Sequence, residues 1–413
     1  MNNKSKQLIS EKVFSPEKNH LKLNNGIRIL LMSTCCVSSL GYAGISFGDK
    51  EADTGKLSFN GTVRAKYIYD FDREPSRSEL SFADAVLWVN YESPKWLAKI
   101  DYRIYDYYGR LGTPNWLTDA WVGYKINPES KLIAGLNPVP FGLGQFWGST
   151  YYLGIANAAG LEDVHNLGLK YDFNNGTDEF QLAYYPTDGG NYSGQSKDSR
   201  RYTVNFVNAD DYVEEGTNTQ EKNAVVARFA HQFKNIAGDE NLASKVGASA
   251  WYSQVENKRS NTTGDRKVWS VFANTTYKQW TLQTLAGYQD IDNADLEFKD
   301  HITLGGFDGS FNSATKGQVY SAELAYAYAN NIGPLSSVKP YVNYSAYVKD
   351  KAGYKHSQRI ISGVAFNYQK ISVQAELLLG KHDPYIDESL GLAQGGADNS
   401  WHKRLFIALG YYF

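Results

Sequence analysis

The sequence contains little cysteine and methionine, and it lacks the long apolar runs that helical membrane proteins need. Its 413 residues include two cysteines, Cys35 and Cys36, and two methionines. After residue 44, no apolar run reaches the roughly 18 residues that a transmembrane helix requires. The mean hydropathy is −0.47. Helical membrane spans are therefore not expected in this protein.

The N-terminus has the features of a targeting segment. Arg28 precedes an apolar stretch at residues 29–37, and the run Gly41-Tyr-Ala43 supplies small residues for a cleavage site. We therefore predict a signal peptide with a long N-terminal lead at residues 1–43 and a mature domain at residues 44–413. Cleavage there would remove both cysteines, so the mature chain would form no disulfide.

Basic residues are not in excess over acidic ones. The chain has 42 basic and 44 acidic residues, of which residues 1–43 contain six basic and two acidic ones. The predicted mature chain therefore keeps 36 basic and 42 acidic residues, a net charge of −6. Proteins that bind nucleic acid are usually basic, so nucleic acid is not expected as a partner.

Aromatic residues are abundant, and they fall into an alternating pattern. The chain has 31 tyrosines and nine tryptophans, and from Lys56 onward apolar and polar residues alternate with period two, as in strands with two different faces. Sixteen such segments are predicted, near residues 56–70, 82–92, 96–106, 117–126, 131–137, 165–173, 178–185, 223–233, 242–255, 265–277, 280–290, 317–328, 338–348, 357–367, 371–380 and 401–413. The pattern predicts an all-β fold, a transmembrane antiparallel β-barrel of about 16 strands.

The predicted connections alternate between short and long. Short ones lie near residues 93–95, 127–130, 174–177, 278–279 and 368–370, and long ones near 71–81, 107–116, 138–164, 186–222, 291–316 and 381–400. Short periplasmic turns and long extracellular loops are typical of outer-membrane barrels. A barrel of 16 strands also encloses a lumen wide enough for an aqueous channel.

The last predicted strand carries a localisation signal. Leu405, Ile407, Leu409, Tyr411 and Phe413 form one apolar row. The segment resembles the terminal strand of outer-membrane β-barrels, in which a C-terminal aromatic residue serves as the assembly signal. We therefore expect a multi-pass barrel in the outer membrane of a Gram-negative type of cell, in contact with outer-membrane lipid.

The third long connection, at residues 138–164, differs from the other loops because it carries no charge before Glu162. A large apolar patch on an exposed loop would be unusual, so we predict that this loop folds into the pore. The alternative is that it packs against a neighbouring subunit or the outer-leaflet girdle. The candidate constriction residues are Phe141, Phe146, Trp147, Tyr151, Tyr152, Glu162 and Asp163.

A third loop that folds inward resembles that of trimeric porins with 16 strands, which implies a homotrimer. The run Gly135-Leu-Asn-Pro-Val-Pro-Phe-Gly142, followed by Gly160-Leu-Glu-Asp163 and Leu167-Gly-Leu-Lys-Tyr171, is similar to the phosphate-selective porin O and P family. In that family a strand ends in a Pro-Phe-Gly turn and leads into the inward third loop. The resemblance covers roughly residues 130–173 and implies an outer-membrane porin.

Assigning the apolar row of each strand to lipid predicts which charges point inward. The predicted pore-lining cations are Arg64, Lys66, Lys99, Arg103, Lys125, Lys170, Arg228, Arg266, Arg359 and Arg404, with Lys245 and Lys339 in the same register. The predicted inward carboxylates are Asp84, Asp101, Asp119, Asp172, Glu323 and Glu376. An excess of cations in a lumen favours anions, so we predict passive diffusion of small hydrophilic solutes with an anion preference.

Two solute classes remain open. The predicted inward arginines suit phosphate geometry, but the third loop has no arginine or lysine between Pro138 and Asn166, unlike a dedicated phosphate filter. The pore-loop aromatics Phe146, Trp147, Tyr151 and Tyr152 would instead provide a stacking surface for sugar rings. A carbohydrate-selective porin is therefore the alternative prediction.

Other functions have weaker support. The sequence shows no metal-ligand cluster or phosphate-cradling loop, so neither an enzyme nor a cofactor or metal is expected. An outer-membrane lipid hydrolase would need a Ser-His pair on the outer wall, where His231 is the one candidate histidine. A structural or adhesive barrel is a further alternative, in which the polar, acidic loops 186–222 and 291–316 bind a partner.

Overall fold

The structure is a computed structural model that describes residues 44–73, 76–107, 110–197, 199–207, 213–328, 331–387 and 391–413. The predicted signal peptide at residues 1–43, with Cys35 and Cys36, lies outside the described residues. Within the described ranges, no helix is long and apolar enough to cross a membrane.

The described part of the chain contains twenty strands, the one-turn helix α1 (Ile155–Ala158) and a short 3₁₀ turn at Ile236–Gly238. The strands are β1 (Ile45–Gly48), β2 (Lys56–Asp70), β3 (Arg77–Glu92), β4 (Trp96–Tyr107), β5 (Arg110–Lys125), β6 (Ser130–Pro138), β7 (His165–Asn174), β8 (Asp178–Asp188), β9 (Asn205–Phe206), β10 (Thr219–Phe233), β11 (Leu242–Asn257), β12 (Thr262–Tyr277), β13 (Trp280–Ile291), β14 (His301–Gly306), β15 (Gly309–Ala314), β16 (Lys316–Tyr326), β17 (Ser337–Lys349), β18 (Ser357–Tyr368), β19 (Ile371–Lys381) and β20 (His402–Tyr412).

Sixteen of these strands, all except β1, β9, β14 and β15, form one closed antiparallel barrel. Each barrel strand pairs with the next one along the chain. The last strand, β20, pairs with β2 from Thr62 opposite Tyr412 to Asp70 opposite Arg404. Closure pairs the edge strands with each other, so a barrel satisfies backbone groups that an open sheet would expose. The predicted antiparallel barrel of about 16 strands is confirmed.

The two faces of β20 differ in exposure, as its alternation predicts. Leu409, Tyr411 and Phe413 are exposed, whereas Phe406 and Ala408 are buried. The same exposed apolar row continues around the barrel through Leu87, Val122, Leu169, Phe229, Val271, Leu324, Val342 and Leu377. The outer face is therefore an apolar band of the kind that a lipid bilayer covers.

One irregularity in β10 changes which residues point inward. The pairing between β10 and β11 shifts between Lys222 and Val225, where Asn223 has a φ of 51°. A bulge of this kind inserts an extra residue and reverses the alternation. Glu221 and Arg228 consequently both lie buried on the inner side of the barrel, although an odd number of positions separates them.

The longest connections between barrel strands all lie at one end of the barrel. The turn after β7 is residues 175–177, and the turn after β12 is residues 278–279, whereas the loop after β6 is residues 139–164. We call the two ends of the barrel the short-turn end and the long-loop end. The predicted long connection at 107–116 is wrong, because β4 continues to Tyr107 and β5 already begins at Arg110.

The two long connections predicted at 186–222 and 291–316 contain strands of their own. Together they form a three-stranded sheet, in which β14 pairs with β15 and with β9. The backbone of Leu392, in the last long loop, bonds to the edge of this sheet at Asn312 and Ala314. Buried apolar side chains stabilise the assembly, among them Val204, Phe206, Ile302, Leu304, Phe311 and Leu392.

Candidate functional site

The loop between β6 and β7, residues 139–164 and here called loop 3, is packed rather than exposed. Of the predicted constriction aromatics, Phe141, Trp147, Tyr151 and Tyr152 are buried, while Phe146 stays partly exposed. The side chain of Tyr152 accepts a hydrogen bond from Arg404 Nη1 at 2.8 Å. These contacts place the loop against the inner face of the barrel wall.

Carboxylates of the opposite wall bind the backbone amides of loop 3. Both carboxylate oxygens of Glu323 in β16 accept the N–H of Ser149, at 2.6 and 2.8 Å. Glu376 in β19 accepts the N–H groups of Tyr151 and Tyr152, at 2.6 and 3.0 Å. A buried N–H group that is left without an acceptor costs stability. The two glutamates therefore hold the middle of the loop.

Cations of the wall bind the carbonyl groups of the same loop. Arg228 Nε in β10 donates to Gly142 O at 2.8 Å, and Arg266 Nη2 in β12 donates to Gly160 O at 3.0 Å. Arg359 Nη1 in β18 donates to Leu153 O at 2.6 Å. Lys170 Nζ in β7 donates to the carbonyl of Pro138, the last residue of β6 before the loop, at 2.6 Å. Loop 3 thus contacts strands on opposite sides of the barrel and crosses its lumen.

The six predicted pore-lining arginines are all buried, and each has a carboxylate partner. Their closest nitrogen–oxygen distances are 2.6 Å for Arg64–Asp84, 2.8 Å for Arg103–Asp101, 2.9 Å for Arg228–Glu179, 3.2 Å for Arg266–Glu221 and 2.6 Å for Arg359–Asp383, and Arg404 binds Asp70. These guanidinium groups contact protein oxygens, so their charge is neutralised locally. That they line an ion path stays a prediction.

The predicted pore-lining lysines differ from one another in exposure. Lys66 and Lys170 are buried. The Lys99 side chain is 27% exposed and bonds Asp119 at 2.5 Å, and that of Lys125 is 28% exposed and bonds Glu92 at 2.9 Å. Lys245, 31% exposed, is paired with Glu179, and Lys339 is partly exposed. These last four lysines are the predicted cations that keep contact with solvent.

The sequence-based count of inward charges missed several carboxylates. Asp70, Glu92, Glu179, Glu221 and Asp383 all pair with predicted pore-lining cations. Asp70 and Glu92 lie at strand ends, and Glu221 precedes the bulge in β10, outside the predicted strands. Glu179 lies on the inward row of the predicted strand at 178–185, so the sequence pattern could have identified it as an inward carboxylate. The interior is therefore closer to charge balance than twelve cations against six carboxylates suggested.

Asp163, at the end of loop 3, belongs to a buried chain of polar groups. Its Oδ1 lies 3.0 Å from His165 Nε2, and His165 Nδ1 lies 2.9 Å from Asp119 Oδ1. The Tyr202 hydroxyl donates to Asp163 Oδ2 and accepts from Arg103 Nη1 at 3.0 Å. This chain connects β4, β5 and β7 with loop 3 and with the connection after β8.

Glu162 is the other charged residue of loop 3. Its Oε1 accepts the N–H of Trp147 at 2.8 Å, which closes the loop on itself. Burial raises the pKa of the Glu162 carboxyl to about 8, because an ionised carboxylate is poorly solvated there. The protonated form of this residue is therefore populated at neutral pH.

The geometry gives little support to the two alternatives of a carbohydrate channel and a lipid hydrolase. Four of the five loop-3 aromatics are buried and are not available to stack on a sugar ring; Phe146 is the partly exposed one. On the outer wall, His231 Nδ1 lies 2.7 Å from Asp178 Oδ1 and its ring contacts Phe233. These contacts suit a surface hydrogen bond rather than the base of a Ser-His pair.

No protein-family model matches this chain, and no curated protein matches it in sequence. Solved structures do match its fold at low identity. OmpF of Salmonella typhi in complex with daunomycin is 12% identical with a TM-score of 0.58, covering 89% of this chain and 100% of that one. The anion-selective porin of Comamonas acidovorans is 12% identical with a TM-score of 0.53, covering 86% and 99%. The trimer form of OmpT of Vibrio cholerae is 12% identical with a TM-score of 0.50, covering 87% and 99%.

The chain therefore has the fold of outer-membrane porins. A closed barrel with an apolar outer band, short turns at one end and long loops at the other is an outer-membrane β-barrel of the Gram-negative type.

Proposed function

We propose that the protein is an outer-membrane porin for the passive diffusion of small hydrophilic solutes, with a preference for anions. The observation that carries this proposal is loop 3, which crosses the lumen and is held by hydrogen bonds from both sides of the wall. A barrel narrowed in this way restricts passage to small solutes, and polar groups around the restriction decide which ones pass.

The anion preference is assigned first to the partly exposed lysines Lys99, Lys125, Lys245 and Lys339. The arginines are buried and bind the protein itself, so they contribute less field to the solvent-filled part of the lumen. Lys99, Lys125 and Lys245 also pair with carboxylates, but their side chains are 27%, 28% and 31% exposed. Lysines that keep contact with solvent raise the local concentration of anions. The similar fold of the anion-selective porin of Comamonas acidovorans supports the anion preference.

A narrower form of the proposal is that the preferred anion is phosphate. The similarity of residues 130–173 to the phosphate-selective porin O and P family supports it, and the absence of arginine and lysine from loop 3 weakens it. A trimer is proposed on the resemblance to porins of 16 strands and on the trimer form of the Vibrio cholerae OmpT structure. Light scattering of the folded protein in detergent measures the oligomeric state directly.

The test is electrical. The full chain is refolded in detergent and inserted into planar bilayers, and the reversal potential is measured in a KCl gradient. The proposal expects a conductance with a reversal potential of the sign that chloride permeation produces. Titration of the chloride current with phosphate and with a maltose series separates the two solute classes. A folded protein without conductance, or with a cation-selective one, contradicts the proposal.

A further inference from the structure

The hairpin of β14 and β15 reaches across the long-loop end of the lumen. Its base lies where β13 ends and β16 begins, and there the N–H of Ile291 donates to Thr315 O at 3.0 Å. Each strand of the hairpin has six residues, which span roughly 20 Å. The ring of Phe307, in the turn of the hairpin, contacts the ring of Trp116 in β5. Because β5 is the fourth of the sixteen barrel strands and β16 is the twelfth, the base and the turn of the hairpin contact opposite sides of the wall.

The sheet that contains this hairpin covers loop 3. Immediately before β9, which pairs with β14, Thr203 Oγ1 accepts the N–H of His165 at 2.9 Å. A Cβ atom added to Gly160 of loop 3 would lie 2.9 Å from Val204 O. Residues 151–164 of loop 3 are all buried. The sheet and loop 3 are therefore two layers in close contact, and the sheet is the layer nearer to the long-loop end.

Two aromatic rings hold the turn of the hairpin in place. Phe307 is 3% exposed, and its ring meets those of Trp116 and Tyr202 edge to face, with centroid distances of 5.8 and 5.3 Å. Edge-to-face contacts between aromatic rings are favourable beyond the burial of the rings. We call Trp116 and Tyr202 the aromatic socket of Phe307.

The backbone of the same turn is in an unusual conformation. Phe307 has a φ of 54° and Asp308 a φ of 65°, so both central residues of this two-residue turn lie in the left-handed region, as in a type I′ hairpin. Asparagine and glycine favour these positions, whereas a bulky residue there is an outlier that carries strain. The contacts of Phe307 in its socket offset this strain, and undocking the turn would release it.

We infer that the β14–β15 hairpin is a gate of the channel. With Phe307 in the aromatic socket, as in this structure, the hairpin closes the long-loop end, and solutes pass when the turn leaves the socket. The inference rests on the proposed function, because it describes how the same channel opens. The base stays attached to the wall, since it is also held by the Tyr347 hydroxyl, which donates to Ala314 O at 2.8 Å. Lids open on timescales of about microseconds to seconds, within reach of single-channel recording.

Replacing Phe307 tests whether the socket keeps the gate closed. Phe307→Asn removes the ring and supplies a residue that favours the left-handed turn. The open fraction in single-channel recordings of the full chain is expected to rise at least about tenfold, because the closed arrangement loses a buried aromatic side chain. Phe298→Asn is the matched control, since Phe298 lies in the same connection but stacks on His301 outside the socket. It is expected to leave the open fraction unchanged.

A crosslink tests the gate from the opposite direction. The Ser199 hydroxyl contacts the Ser310 hydroxyl of β15, and the connection that contains Ser199 exchanges backbone hydrogen bonds with β5 through Ser193 and Asn115. Side chains that face each other in contact are candidates for a disulfide. The double variant Ser199→Cys with Ser310→Cys is made with both native cysteines replaced by serine. Oxidation is expected to lower the conductance at least about tenfold and reductant to restore it, while Ser310→Cys alone responds to neither. Equal conductance of the oxidised and reduced double variant overturns the gate.

Thiol labelling separates the gate from the channel. Ser313 in β15 is completely buried, so a cysteine there reacts with a maleimide only when the hairpin opens. Phe307→Asn is expected to raise the labelling rate of Ser313→Cys at least about tenfold in detergent. Faster labelling in a protein that conducts no ions supports the gate and overturns the porin. A protein that conducts ions, with Phe307→Asn changing neither the labelling rate nor the open fraction, overturns the gate and leaves the porin in place.

Discussion

Glu376 in β19 accepts the backbone N–H of Tyr151 at 2.6 Å, although 225 positions separate the two residues in the chain. The same carboxylate accepts the N–H of Tyr152 and the hydroxyl of Tyr341. Its side chain is fully buried. A buried carboxylate that satisfies two consecutive loop amides fixes the height and direction of loop 3, so the width of the channel depends on this contact.

Removing this contact is therefore expected to widen the channel. Glu376→Ala leaves the two amide groups of Tyr151 and Tyr152 without their acceptor, at a cost of about 2–5 kcal/mol in folding free energy. Loop 3 then loses its attachment to β19, and the single-channel conductance is expected to rise. The matched control is Glu240→Ala, since Glu240 is exposed in a short turn. An unchanged conductance in Glu376→Ala would show that loop 3 does not limit the current.

The pair Arg359–Asp383 is expected to contribute strongly to stability. Two nitrogens of Arg359 lie 2.6 Å from the two oxygens of Asp383, and both side chains are completely buried. Arg359→Met leaves an unpaired carboxylate inside the protein, which is expected to cost about 3–5 kcal/mol.

Thermal unfolding, followed by the heat-dependent shift in electrophoretic mobility, measures this loss. The double variant Arg359→Met with Asp383→Leu removes both charges and is expected to recover part of the stability. If the double variant is no more stable than Arg359→Met, the pairing of charges is not the source of the effect.

The strands were predictable because each meets lipid on one side and polar groups on the other. In β20 this environment alternates from residue to residue, so Leu409 and Ala408 differ in exposure as their positions predict. The inward direction of loop 3 was also predictable, since an uncharged loop with Phe141, Trp147 and Tyr152 has to bury them.

The partners of the inward charges were not predictable from local pattern. Asp383 lies in the loop after β19, and the path of that loop brings it to Arg359. The alternation of residues in a strand does not predict where a loop residue points. Glu221 was missed because the bulge at Asn223 reverses the alternation. The sheet of β9, β14 and β15 had a detectable signal, since Tyr202, Val204 and Phe206 alternate within a loop that is polar on average.

Neutralising exposed lysines is expected to change ion selectivity. Lys125 and Lys339 are partly exposed, so Lys125→Gln combined with Lys339→Gln removes two cations that act on solvent. The reversal potential in a KCl gradient is expected to shift toward the potassium potential. Lys267 is the control position, since its side chain is 62% exposed and it pairs with Asp265 near the start of β12 at the long-loop end. Lys267→Gln removes one cation there and is expected to leave the potential unchanged. Equal potentials in the wild type and the double variant would remove these lysines from the selectivity mechanism.

Glu162 is expected to make the stability of the protein depend on pH. Its pKa is raised by burial to about 8 in the folded protein, above the value of about 4.3 for an exposed glutamate. Between these values the folded state binds more protons than the unfolded state, so stability is greatest in acid and falls as pH rises. The slope contributed by this one group is at most about 1.4 kcal/mol per pH unit.

Unfolding measured from pH 5 to pH 9 tests this dependence. Glu162→Gln keeps an oxygen acceptor for the N–H of Trp147 but cannot ionise, so the decline in stability between mildly acidic and alkaline pH is expected to be smaller in this variant. Glu240→Gln serves as the control, because Glu240 is exposed and its substitution should leave the wild-type decline in place. Parallel pH profiles for the wild type and Glu162→Gln would mean that this carboxyl is already ionised in the folded protein. Loop 3 would then contain a buried ionised carboxylate that accepts a hydrogen bond from the N–H of Trp147. That hydrogen bond would contribute more to the stability of the loop than protonation of Glu162 does.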